Sequence, residues 1–226
     1  MMLRNKEVAA PIRPPILSAA LLEKLFELND DYVALLAAHA ADSNADARAL
    51  PDRVYVALAQ LSQAARSRLA RIPFALFSLG FEDLPFWRGL LRCDGVADDA
   101  SRPARYQDFS ARPGAAFCEV ALFFAWHAAA MNRVAGKVLF AMTGELAEGF
   151  AQTPLWRLRQ IARECPDLIQ PRWPANPRFW PDLVKFAAAE DWQRLQTTQL
   201  LGSQLTAVEL EQSAANVRIR RFRRML

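Results

Sequence analysis

The chain has 226 residues, 53% of them hydrophobic, with a formal net charge of +4 at pH 7 and a sequence pI ≈ 9.2. That is enough apolar material to bury a substantial core, as one domain or at most two small ones, and it excludes bulk disorder. The glycines form no G-x-G pair to cradle a phosphate, and the cysteines form no C-x-x-C pair for zinc or redox work.

Residues 1–15 end in the run Pro11-Ile12-Arg13-Pro14-Pro15 and read as an extended or disordered arm. Glu7, Arg13 and the prolines interrupt any signal-peptide core. From Ile16 onward, Leu21, Leu22, Leu25, Leu28, Tyr32, Leu35 and Leu36 recur at helical intervals and predict an amphipathic helix. Turn-forming residues 42–47 end it. Pro51 opens a second helix with Val54, Leu58, Leu61, Ala65 and Leu69 on one face.

The aromatic-rich stretch from Ile72 to Leu91, cut by Pro73, Gly80 and Pro85, predicts two brief buried helices. Residues 92–114 balance acids against bases and form the one long loop, where a single domain would divide if it divided at all. The next segment is the most apolar. Ala121, Phe124, Ala128, Met131 and Ala135 make one stripe and Leu122, Ala125 and Ala129 another, so this helix belongs at the centre of the bundle. Glu119 and His127 inside it argue against a membrane span.

Thr153 as cap and Pro154 at the first helical position predict another helix start, with Leu155, Leu158 and Ile161 facing inward. Then comes a proline-rich strap, residues 170–181, with two similar phrases around Arg172-Trp173 and Arg178-Phe179-Trp180. Its prolines predict extended geometry at Gln170, Trp173, Asn176 and Trp180. Asp191 is the expected cap of the last long helix. No run alternates as a strand does. The expected fold is all-α, a helical bundle of about seven to nine helices spanning residues 16–216, with a proline-rich crossover before the C-terminal helices and a basic end at 217–226.

Chemistry is sparse. Of the two histidines, His39 has Leu36 and His127 has Phe124 three residues earlier, so the Glu-x-x-His signature of a bundle metal site is absent. No catalytic residue, metal or cofactor is expected, and the chain leans away from an enzyme. Three candidate surfaces remain. The strap offers Arg172, Trp173, Arg178 and Trp180 to a protein partner, using residue types common at interface hot spots, with Arg172 and Arg178 expected to stay outside. The C-terminal end carries Arg218, Arg220, Arg221, Arg223 and Arg224 without an acid, interleaved with Ile219, Phe222 and Leu226, and suits nucleic acid, an acidic protein or an anionic surface. Glu119 and His127 are candidates for a buried polar pocket.

Cys93, Cys118 and Cys165 are odd in number and widely spaced, which fits a reducing, cytoplasmic setting. Heavy use of alanine and of arginine over lysine fits a bacterial source. The expected function is a non-enzymatic regulatory or interaction protein that binds another protein and forms an oligomer. The alternatives are a nucleic-acid-associated regulator and a small-molecule-binding helical protein.

Overall fold

The computed structural model describes residues 17–41, 49–91 and 113–223. The expected arm, the long loop up to residue 112, and Arg224 lie outside the described residues. The protein is an all-α bundle, with ten helices and a single two-stranded pair among those residues.

Helix α1 (Ala19–Ala38) begins where the Ser18 hydroxyl accepts the Leu21 N–H at 3.2 Å. Its buried face, Leu25, Leu28, Asn29, Tyr32, Val33 and Leu36, follows the expected helical spacing. The single helix expected after Pro51 is two, α2 (Asp52–Gln60) and α3 (Gln63–Ala70). Leu61 turns extended and the Ser62 hydroxyl takes the Ala65 N–H at 3.2 Å, so the new start is capped. Val54, Leu58, Leu61, Ala65 and Leu69 are all buried regardless.

Of the two brief helices expected between Ile72 and Leu91, only α4 (Leu84–Leu91) forms. The preceding segment crosses the core through a series of bends rather than a helix, and Asn29 supplies hydrogen bonds that a helix would have made for itself. Its side-chain amide donates to the carbonyls of Ala70 (3.2 Å) and Phe74 (3.0 Å), and its oxygen accepts the Leu76 N–H at 2.9 Å. Asn29 is fully buried. At the end of this segment β1 (Phe77–Ser78) pairs antiparallel with β2 (Gln170–Pro171), Phe77 opposite Pro171 and Ser78 opposite Gln170. Two-residue strands are too short to show alternation, which is why the sequence gives no sign of them.

The most apolar helix is α5 (Pro113–Met131), and it packs on α1 and on the helices that follow, α6 (Arg133–Phe140), α7 (Gly144–Gln152) and α8 (Leu155–Glu164). Asn132 separates α5 from α6, its side chain accepting the Val134 N–H at 2.9 Å. This break and the one at Ser62 raise the helix number above the expected nine. The start of α8 is displaced by one residue. Pro154 is the cap, and Thr153 instead closes α7, its hydroxyl donating to the Gly149 carbonyl at 2.9 Å. Leu155 therefore faces out, 48% exposed, while Leu158 and Ile161 are buried as expected.

Helix α9 (Phe179–Ala188) packs on α2, α3 and α10 (Trp192–Arg223). Asp191 caps α10 through the Arg194 N–H at 3.1 Å. Gly202 lets α10 press onto the aromatic rings of Phe74 and Phe179. Buried side chains from Leu25 to Leu195 form one cluster.

Candidate functional site

The strap turns inward. Arg172 is 3% exposed, which corrects the expectation that it stays outside. Its Nε and Nη2 donate to Glu209 Oε2 on α10 at 3.1 and 2.5 Å, and its Nη1 donates to the carbonyls of Leu139 (3.2 Å) and Ala75 (3.4 Å). Burial pulls the Arg172 pKa below its ordinary value, and the Glu209 carboxylate pushes back. One guanidinium thus joins the strap, the bent segment before β1, the end of α6 and α10. Trp180 is fully buried and donates its indole N–H to the Arg172 carbonyl at 2.7 Å. It lies in the first turn of α9, where Pro181 is tolerated because the N–H it lacks has no helical partner.

Trp173 is not extended either. Its φ of 52° is left-handed, a conformation that costs a bulky residue energy and persists only when its surroundings impose it. Those surroundings are the Glu209 Oε1 that accepts its indole N–H at 2.6 Å and the edge-on rings of Phe74 and Phe179 at 5.4 and 4.8 Å. Of the four strap candidates only Arg178 is exposed outright, with Trp173 half-buried. The cleft beside the strap, about 570 Å³, is bordered by Trp173 and by Gly80 and Ala141, two further left-handed residues. Its buried cation is already committed to Glu209.

Glu119 and His127 do not share a pocket. Glu119, with its side chain 23% exposed, faces α8 and accepts Nε of Arg159 at 2.8 Å. His127 is exposed and lies one helical flank away, facing α1. The expected buried polar pocket is therefore corrected to one ion pair and one surface histidine.

What lies on the His127 flank is a groove that the sequence did not single out. It is about 620 Å³, open along its length, and runs between α1 and α5. Leu21 and Leu28 of α1 and Val120, Phe123, Phe124 and Met131 of α5 form its apolar lining. Val120 is 53% exposed and Met131 71% exposed, so the groove is unfilled at both ends. Its charged rim is supplied by Lys24, Glu27 and Asp31. Lys24 and Glu27 pair at 2.7 Å, whereas Asp31 enters no ion pair among the described residues. Burial, Asp30 and Glu27 in that order raise the Asp31 pKa above its usual value.

No known protein family, curated protein or solved structure matches this chain. Its own geometry therefore carries the functional argument. Among the described residues no group of three or more His, Cys, Asp or Glu side chains is placed to hold a metal. Residues Gly114–Met131 of α5 are long and apolar enough to cross a membrane by length and composition, and 44% of that window is buried against other helices. Arg218, Arg220, Arg221 and Arg223 fall on the last turns of α10, whose side chains are outside the described part. The sequence shows a helix apolar nearly all round, but not which of its flanks the neighbouring helices leave open.

Proposed function

We propose that this protein is a non-enzymatic interaction protein whose α1/α5 groove receives an amphipathic helix of a protein partner. One observation carries the reading. The most apolar helix of the bundle turns a regular stripe to the groove at i, i+3, i+4, i+7 and i+11, with Val120, His127 and Met131 exposed and Phe123 and Phe124 part-buried between them. A stripe at those intervals is the complement of a helix presenting its own i, i+3, i+4, i+7 anchors. The span from Val120 to Met131 is about 16 Å at the helical rise, room for three turns of an opposing helix. Soluble chains rarely leave such a patch at water without a use for it.

The strap contributes by fixing α10 and β1 to the body rather than by touching the partner. Arg178 remains available at the surface, but no other strap candidate stands fully exposed beside it.

Site-specific photo-crosslinking tests the groove. A benzophenone side chain in place of Val120 is expected to crosslink in cells to a segment with amphipathic helical spacing. The same probe in place of Leu200, which is 65% exposed on α10, serves as the control. Equal crosslinking from both positions sinks the reading.

A further inference from the structure

Resting on the groove reading, we infer that in the free chain the groove is covered by the chain's own residues 8–16, which a partner helix must displace. The observation that carries this is where the chain enters the bundle. Leu17 is the first described residue, and it packs against the core. Ser18, the cap of α1, lines the groove. The sixteen residues before Leu17 are therefore tethered at the Ser18 end of an open apolar groove.

The tether has the reach. Along α1 the lining runs from Ser18 to Asp31, about 20 Å at the helical rise. In extended form at about 3.1 Å per residue, residues 8–16 cover about 28 Å. A chain that doubles back over α1 thus spans the groove with length to spare for the reversal.

The chemistry of the segment suits the lining. Residues 8–16 read Val-Ala-Ala-Pro-Ile-Arg-Pro-Pro-Ile, apolar but for Arg13. A tail kept in solvent is ordinarily poor in such residues and rich in charge. Pro11, Pro14 and Pro15 restrict the backbone, so that ordering this stretch loses less entropy than it would for a chain without them. Extended proline-rich segments, among them the Pro11-x-x-Pro14 spacing, are the ligands that aromatic-lined grooves take. Here the part-buried rings of Phe123 and Phe124 line the groove between exposed Val120 and Met131.

Attachment decides between this segment and the same segment of a second copy. A short tether holds its end at an effective concentration of about millimolar, so a weak contact is enough to keep the groove covered. Weakness is also what lets a partner helix with stronger anchors replace it.

The test uses the purified full-length chain with the benzophenone side chain in place of Val120. Illumination is expected to join it to a peptide within residues 1–17 of the same chain, in a product that still migrates as a monomer. A full-length Val8→Asp/Ile12→Asp variant carrying the same probe should lose that crosslink, with circular dichroism confirming that its helices are kept. Without the probe, Met131 should be oxidised by hydrogen peroxide faster in this variant than in the native chain. Cover in place about 90% of the time corresponds to a difference of about tenfold.

No crosslink to residues 1–17, a crosslink formed only between chains, or equal oxidation of Met131 in the two proteins each overturns the inference. If it falls while the Val120 probe in cells still captures a helix of a different protein, the groove reading stands. If no foreign helix is captured either, both fall. A same-chain crosslink, with no foreign helix captured even by the Val8→Asp/Ile12→Asp variant, keeps the cover and removes the partner.

Discussion

Glu209 of α10 holds the strap with both oxygens, one accepting two N–H groups of Arg172 and the other the indole N–H of Trp173. Because Arg172 is 3% exposed at its side chain and Glu209 30%, the two partners are not equivalent. Loss of the acid strands a buried cation, whereas loss of the cation leaves an acid that water can still reach. Glu209→Leu should therefore cost about 3–5 kcal/mol and Arg172→Met about 2–3 kcal/mol, the latter reduced by that exposure. The double variant should recover part of the sum, as buried pairs replaced together by apolar groups often do. Urea denaturation of all four proteins measures the coupling. Additive losses would mean that the pair does not act as a unit.

Gly202 tests how tightly α10 is seated. In an exposed helix, glycine to alanine gains about 1 kcal/mol. Here a Cβ would meet Phe74 Cζ at 2.3 Å and Phe179 Cε2 at 2.8 Å, and both rings are buried in a packed aromatic cluster. Neither can swing aside cheaply. Gly202→Ala is expected to destabilise the protein by about 1–3 kcal/mol, as overpacking does. A shift of the urea midpoint upward would show that α10 can ride away from α9.

The all-α character and most helix faces were legible because they depend on local spacing. Val54, Leu58, Leu61, Ala65 and Leu69 keep their inward face even though the helix breaks between them. What was not legible depends on distant partners. Arg172 reads as a surface residue because nothing near it in sequence shows that Glu209 and the Leu139 carbonyl will receive it. The bent segment before β1 reads as helix because hydrogen bonds that hold it come from Asn29, far earlier in the chain. Similarly, the groove arises from which flank of α5 its neighbours leave open, and an all-round apolar helix does not say which.

Tyr32 is fully buried between Phe77 and Phe117, and its hydroxyl has no hydrogen-bond partner among the described residues. An unsatisfied buried hydroxyl is a liability, so Tyr32→Phe should leave stability unchanged or raise it by about 1 kcal/mol. Burial, and secondarily Tyr55, push the Tyr32 pKa well above the ordinary tyrosine value. The native state thus holds this proton more tightly than the unfolded chain, and stability must fall as pH climbs past the ordinary value. Thermal melts at rising alkaline pH should show a steeper decline for the native chain than for Tyr32→Phe. Parallel declines would place the alkaline sensitivity elsewhere.

The thiols offer a chemical check on burial. Cys118 is buried, its Sγ lies 3.9 Å from the Cys165 carbonyl, and burial pushes its pKa up to about 12. Cys165, only partly buried, is also raised, first by desolvation and then by Glu164. Since the thiolate is the reactive form, neither should alkylate readily near neutral pH in the native state. Iodoacetamide labelling followed by peptide mapping should find Cys165 modified before Cys118, and Cys118 only once the protein is denatured. Early modification of Cys118 would contradict the packing of α5 on α8.

Asp31 joins stability to the groove. Its pKa is raised from 3.8 by burial first, then by Asp30 and Glu27. The charged groups around it are those two acids and Lys24 on α1, and the imidazole of His127 lies across the groove on α5. A carboxyl whose folded pKa is raised binds its proton more tightly when folded, so stability falls as pH rises from the ordinary value through the raised one and stays lower above it. Asp31→Asn removes that penalty. The variant should melt higher than the native chain at pH near 7, and the advantage should vanish in acid, below the ordinary aspartate value of about 3.9, where both states are protonated. A variant that melts no higher than the native chain near neutral pH would show that Asp31 carries no such penalty.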